Sequence, residues 1–359
     1  MSQLALKYYE LESPDESLIR KMDELNFGQA LSFIRRWQSG DQTFEFNTSG
    51  STDHPKTVRL ERWKMQLSAQ RTIAALGLSE NMTALLCISP QFIGGAMMIV
   101  RALVARMNLI IVPPARQPFE QLTQAFDFTA MVPMQLSELL KSGTPVQLQL
   151  LQESHHVLLG GAGVPDDLLD QIMPLRATCW STYGMTETVS HIALRKLNGN
   201  SPTKSFQVLD NIKIKTGDQG QLVICDKITD DQWLETNDVV DIISEKEFVW
   251  LGRLDNVINT GGIKVMAEKI EVGIEKALRE LYPDCRYFIA GMPDDTYGIA
   301  VTLFLECTSH VDEAGLLEKT RKQSTLFKYE FPKRLLVLEV FPETASGKID
   351  KQQILKTHS

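Results

Sequence analysis

Residues Thr83–Pro114 read TALLCISPQFIGGAMMIVRALVARMNLIIVPP. Two short apolar runs, TALLCISP and NLIIVPP, enclose a segment with helical patterning over Ala96–Arg106. Apolar runs of this length bounded by turn residues read as buried strands, and the two prolines after Val112 end the second one. A strand, a crossover helix and a further strand build a parallel pair, which is covered on both faces and therefore apolar throughout. The rhythm continues outward. Leu60–Leu76 reads as a helix before this stretch; Phe119–Phe126 (helix), Thr129–Val132 (strand), Gln135–Leu140 (helix) and His156–Leu159 (strand) follow it. The fold class implied is α/β, with a mostly parallel sheet in the large N-terminal part.

Near residue 205 the pattern changes. IKIKTGDQGQLVIC and EFVWLGRLDNVIN alternate and turn at Gly-Asp or charged residues, as antiparallel strands do. A helix follows at Ala267–Leu281, with Ile270, Ile274 and Leu278 on one stripe. Strands at Arg286–Ala290 and Ile299–Leu305, a helix at Asp312–Lys322 and a strand at Arg334–Val340 complete the tail. A domain boundary is therefore expected at Leu254–Asp255, between a large domain, 1–254, and a small α+β domain, 255–359.

The chain has 359 residues, 43% apolar and 23% charged, which excludes disordered and fibrous classes and suits two domains. A formal net charge of −8 argues against nucleic acid as a partner, because phosphate backbones need concentrated Lys and Arg. The five cysteines, Cys87, Cys179, Cys225, Cys285 and Cys307, form no CxxC pair and read as buried reduced residues. Ala96–Val112 is interrupted by Arg101, Arg106 and Asn108, so no membrane insertion is expected. The N-terminus lacks a signal-peptide pattern, and a cytoplasmic location is the expectation.

Four segments carry chemistry. In Phe46–Lys56, FNTSGSTDHPK, hydroxyls, a glycine and a terminal cation form a loop suited to polyphosphate oxygens. Walker spacing is absent, and residue types alone allow a surface Ser/Thr loop equally. Gly160–Gly161–Ala162–Gly163 and Ser181–Thr182–Tyr183–Gly184–Met185–Thr186–Glu187 fall where parallel strands end, the usual ligand edge. Tyr183 could stack on a ring there and Glu187 could hold Mg²⁺, although a capped turn with a solvated Glu is the plainer reading of that segment alone. Thr236–Asn237–Asp238, Gly252–Arg253–Leu254–Asp255 and Asn259–Thr260–Gly261–Gly262–Ile263–Lys264 offer sugar and phosphate ligands. Pro342–Lys351, PETASGKIDK, offers Lys348 as a deliverable cation.

The ordered set TSGSTDHPK, GGAGVP, STYGMTET, TND, GRLDNVINTGGIKV and PETASGKIDK resembles the acyl-adenylate-forming (AMP-binding) superfamily of acyl-CoA synthetases, luciferases and peptide-synthetase adenylation domains. Within it, QFIGGAMMIVRALV and TYGMTETVSHIALR are most similar to the short bacterial o-succinylbenzoate–CoA ligases of menaquinone biosynthesis. The resemblance implies an ATP-dependent acid–thiol ligase working through an acyl-adenylate, with ATP, Mg²⁺ and coenzyme A. Thr48, Ser49, Gly50, Ser51, Thr52 and Lys56 would form the phosphate loop. Gly160, Gly161 and Ala162 would border adenine, with Tyr183 stacked on it. Thr186 would touch the α-phosphate, Glu187 would hold Mg²⁺, and Asp238 and Arg253 would bind ribose. Lys348 would be the adenylation lysine and Asp255 the hinge of a mobile C-terminal domain. Gly261 and Gly262 would face the pantetheine channel. Other aryl- or acyl-CoA ligases, and a non-catalytic nucleotide-binding homologue, are the competing implications.

Three positions depart from the family pattern. Asp53 replaces a loop glycine, Asn237 replaces a glycine where αL geometry is tolerated, and Phe92 stands where many members have His. The acyl pocket is expected among Phe92, Ile93, Gly94, Gly95, Ser190, His191 and Arg195, with His191 or Arg195 meeting a second carboxylate. A core histidine on a strand is the competing reading of that last group. Because the phosphate loop begins at Thr48, a shortened N-terminal subdomain is expected, and with it a homodimer across the exposed flank.

Overall fold

The computed structural model describes residues 3–47, 57–283, 285–324, 326–343 and 349–358. Among them the largest assembly is a twelve-stranded sheet. Its strands run in the spatial order Leu4–Leu6, Asn108–Ile111, Thr83–Leu86, Phe128–Met131, His156–Leu159, Thr178–Gly184, His191–Lys196, Phe206–Val208, Glu247–Arg253, Trp233–Ser244, Gln221–Cys225 and Lys213–Thr216. From Asn108–Ile111 to Thr178–Gly184 every pairing is parallel; every other pairing in the sheet is antiparallel. The quoted segment is thus a strand–helix–strand unit, with its helix at Ile93–Val104.

Alternation splits the sheet's side chains between two apolar layers. Ala84, Leu86, Leu109 and Ile111 join one buried cluster, whereas Leu85, Cys87, Ile110 and Val112 join another on the opposite face. Two further clusters are built from Ile258 onward, around the helix Ala267–Leu281 and the three-stranded sheet of Arg286–Asp294, Gly298–Glu306 and Arg334–Leu338. In that sheet Phe288 and Phe304 are register partners whose rings stack at 4.6 Å.

Several expectations need correcting. Leu60 lies in the strand Thr57–Glu61, which pairs with Thr43–Asn47, and the helix starts at Arg62. Phe119–Phe126 is a packed turn rather than a helix: the two rings meet edge-on at 5.4 Å inside the core, so helical spacing of buried residues arose without a helix. The helix Pro145–Glu153 was missed, although Thr144 and Gln147 form a capping box ahead of it. Asn237 is extended strand and not αL. Of the cysteines, Cys87, Cys179 and Cys307 are buried, while Cys225 and Cys285 are half-buried. No helix among the described residues is long and apolar enough to cross a membrane.

Candidate active site

Where the parallel run ends, Thr178–Gly184 brings Tyr183 against the antiparallel strands. The Tyr183 hydroxyl donates to Asp238 Oδ2 at 2.8 Å, and Trp250 Nε1–H donates to Asp238 Oδ1 at 3.1 Å. Asp238 and Arg253 are register partners, so strand pairing sets their ion pair at 3.7 Å. Burial, and then the neighbouring Asp238 charge, push the Tyr183 phenol far above its ordinary value, so it remains a donor. Its ring meets Phe248 nearly edge-on at 5.1 Å and lies 5.8 Å from Phe206. Arg253 also donates to Asp255 at 3.0 Å, and Asn237 Nδ2 reaches the same carboxylate at 3.3 Å. Tyr183, Asp238, Arg253, Asn237 and Asp255 therefore form one connected group.

Gly160 and Gly161 follow the strand His156–Leu159. A Cβ on Gly160 would lie 2.6 Å from Thr182 Oγ1, and Gly161 has a φ of 81°, which an L side chain disfavours. Ala162 beside them is exposed. Thr186 and Glu187 sit in a single 3₁₀ turn, Thr186–Thr188, with Glu187 exposed. The Thr188 hydroxyl fixes this turn by bonding Met185 N at 3.0 Å and Ser190 O at 2.8 Å. Val189 completes it with φ 66° and ψ −49°, while Ser190 N–H donates to Thr188 O at 2.7 Å. This is a γ-turn of the strained positive-φ kind, with a β-branched residue at its centre. Such strain clusters at functional sites, and the motif reading missed Val189.

Behind the turn lies a group that sequence reasoning did not assemble. Arg101, in the helix Ile93–Val104, is 2% exposed and donates to Ser190 Oγ at 2.9 Å. Its Nε has no partner, and no carboxylate pairs with it among the described residues. Burial draws its guanidinium down to about 9, so it is still a cation at neutral pH. His191 is buried, bonds Thr72 Oγ1 at 3.0 Å, and burial holds it well below its ordinary value. His191 is thus a neutral core residue, in line with the competing reading of a core histidine on a strand. Arg195 leans over Phe206, 5.5 Å from the ring centre, and Phe206 in turn lies beside Tyr183. Phe92 is exposed as the residue before the helix. A Cβ on Gly95 would lie 2.3 Å from Ser89 O, so that glycine admits backbone, whereas Gly94 has only Ile88 at 3.4 Å. The sole sequence signal for Arg101 was a charge inside an apolar run.

Gly261 and Gly262 form the two-residue loop between paired Thr260 and Ile263, with φ of 57° and 82°, the geometry that a type I′ hairpin turn demands. Thr48, Ser49, Gly50, Ser51, Thr52, Asp53, Lys56 and Lys348 lie outside the described residues. The paired ends Asn47 and Thr57 bracket the first of these segments. Among the described residues no cluster of three or more His, Cys, Asp or Glu could hold a metal. A single exposed carboxylate, Glu187, beside the Thr186 hydroxyl fits Mg²⁺ that takes its other ligands from phosphate and water.

The AMP-binding enzyme family matches residues 13–227. The 2-succinylbenzoate–CoA ligase of Listeria monocytogenes serotype 4b is 25% identical over 366 residues, covering 92% of this chain and 73% of its own. That of Salmonella typhimurium is 24% identical, covering 86% and 67%. Among solved structures, an acyl-CoA synthetase (AMP-forming)/AMP-acid ligase II-like protein from Dyadobacter fermentans is 33% identical, with TM-score 0.66 over 99% of this chain and 100% of that one. The Bacillus subtilis O-succinylbenzoate coenzyme A synthetase, in complex with ATP and magnesium, shares the fold at TM-score 0.69 and 21% identity over 87% of this chain and 69% of its own. With the parallel-to-antiparallel sheet and the Tyr183–Asp238–Arg253 group in place, the conclusion is that this chain belongs to the AMP-binding enzyme family.

Proposed function

We propose that the protein is an ATP-dependent carboxylic acid–CoA ligase that acts on 2-succinylbenzoate through an acyl-adenylate. The observation that carries the choice of acid is Arg101: a fully buried cation that pairs with no carboxylate among the described residues, bonded to Ser190 behind the Thr186–Glu187 turn. A buried charge is costly unless paired, and the second carboxylate of a dicarboxylic acid supplies the missing partner. The relatives named for 2-succinylbenzoate–CoA ligation support the same reading.

In this reading a carboxylate, a poor electrophile, acquires AMP as its leaving group before coenzyme A sulfur displaces it. Bound Mg²⁺ offsets negative charge on the phosphates. Glu187 holds the ion, and Thr186 donates to the α-phosphate. Asp238, aligned by Tyr183 and Trp250, accepts from the ribose hydroxyls, while Arg253 adds positive charge. Lys348 stabilises the charge that develops during adenylation. Arg101 and Ser190 orient the acid so that its other carboxylate faces the phosphate. Residues 1–254 and 255–359 are separate domains that swing about Asp255, and Gly261–Gly262 borders the thiol's path. A cytoplasmic homodimer belongs to the same reading, and a single-subunit mass in solution overturns that part of it.

Incubation with ATP, Mg²⁺, coenzyme A and a panel of aromatic and aliphatic acids tests the assignment. Pyrophosphate and AMP release is expected with 2-succinylbenzoate above all others. No release with any acid overturns the ligase reading, and preference for a monocarboxylic acid overturns the substrate.

A further inference from the structure

Two cysteines meet at one corner of the C-terminal three-stranded sheet. Arg286 and Glu306 are the last register partners of the antiparallel pair Arg286–Asp294 and Gly298–Glu306, so Cys285 and Cys307 extend that ladder by one position. Cys307 N–H donates to Leu338 O at 2.9 Å, on the opposite neighbour. Its backbone polar groups therefore point away from Cys285, which makes the two a non-hydrogen-bonded pair. Cα atoms in such pairs are about 4.5 Å apart, within the roughly 4.4–6.8 Å that a disulfide bridges. Both cysteines line a surface cleft of about 520 Å³ with Tyr282, Ser309 and Glu339. Cys87 and Cys179 differ in kind: burial pushes both thiols up to about 12 and keeps them inert.

We propose that Cys285 and Cys307 form a redox-active dithiol that a small-molecule disulfide converts to a cross-strand disulfide. Cys307 attacks first. The Ser309 hydroxyl at 3.1 Å, followed by Cys285, holds its thiol below the ordinary value and so favours the thiolate. The thiolate displaces one thiolate from the oxidant and forms a mixed disulfide. Cys285 then attacks the Cys307 sulfur, expels the second thiolate and closes the bridge. Two cysteine thiols are oxidised, the oxidant's S–S bond is reduced to two thiols, and the cysteine protons pass to them through solvent. The position gives the bridge reach. Arg286, next to Cys285, pairs with both Glu306 and Glu343, and Glu343 immediately precedes in sequence the segment that contains Lys348.

The full chain is incubated with oxidised glutathione, its remaining thiols are alkylated, and the digest is mapped by mass. The expected result is one linked peptide pair through Cys285 and Cys307, with the thiol count in denaturant falling by two from five and recovering in dithiothreitol. Cys307→Ser should abolish the linked pair. Alkylation of both residues in the oxidised wild type, or glutathione retained on either without a bridge, overturns the proposal whether or not the variant folds.

Discussion

The phenol of Tyr183 and the carboxylate of Asp238 are joined at 2.8 Å across the seam where the parallel half of the sheet gives way to the antiparallel half. Removing that donor leaves Asp238 with Trp250 and Arg253. Tyr183→Phe should therefore lower stability by about 1.5–3 kcal/mol, the range for hydrogen bonds to charged groups. It should also raise the KM for ATP roughly tenfold, because Asp238 loses its alignment. Thermal unfolding and ATP titration check the two halves; a lower Tm with unchanged KM would separate Asp238 from nucleotide binding.

Arg101→Met should move activity and stability in opposite directions. Loss of the buried cation costs acid binding about 2 kcal/mol or more, roughly a 30-fold rise in the KM for the dicarboxylic acid. A monocarboxylic acid should be far less affected. Stability should stay level or rise, since an apolar side chain of similar length replaces a charge that pairs with no carboxylate among the described residues. Steady-state kinetics on both acids, with urea unfolding alongside, measure this.

Acidification should weaken the fold through His191. Its folded-state value lies below its unfolded one, so above pH 6.5 the ring is neutral in both states and exerts no effect. As the pH falls below 6.5 the unfolded chain takes up the proton first, and stability drops by at most about 1.4 kcal/mol per pH unit. His156, also lowered by burial, adds the same sign. Urea unfolding at pH 5 and pH 7.5 should show the loss, and His191→Gln should reduce the slope.

Lys348→Ala should abolish adenylate formation while leaving most thioester formation from a supplied adenylate. The half-reactions are measured separately by pyrophosphate release and by thioester yield. Equal loss of both removes the division of labour given to Lys348.

The family was legible because the AMP-binding motifs are local in sequence, and the structure brings Tyr183, Asp238 and Arg253 of those motifs together. Strand identity was legible from short apolar runs such as Asn108–Ile111. The failures were long-range. Arg101 read as a break in an apolar segment, because its partner Ser190 lies far along the chain, in the bend just before the strand His191–Lys196. His191 was offered as a contact for a second carboxylate or as a core histidine, and Thr72, contributed by a separate helix, makes it the latter. Phe119–Phe126 shows the same limit locally: burial of every third or fourth residue is a property of packing that a turn can also satisfy.

The γ-turn at Val189 bears on how the site can change. A positive φ at a β-branched residue costs about 1–3 kcal/mol, and burying a valine completely returns about the same amount. Val189 has no exposed surface and belongs to the large apolar cluster. The backbone that presents Thr186 and Glu187 is therefore held against its local preference by the oil behind it. If Thr186 and Glu187 act as proposed, substitutions in that cluster, remote from any ligand, would be inherited as catalytic defects, and a search for thermostable variants that relaxed this turn would select slow enzymes.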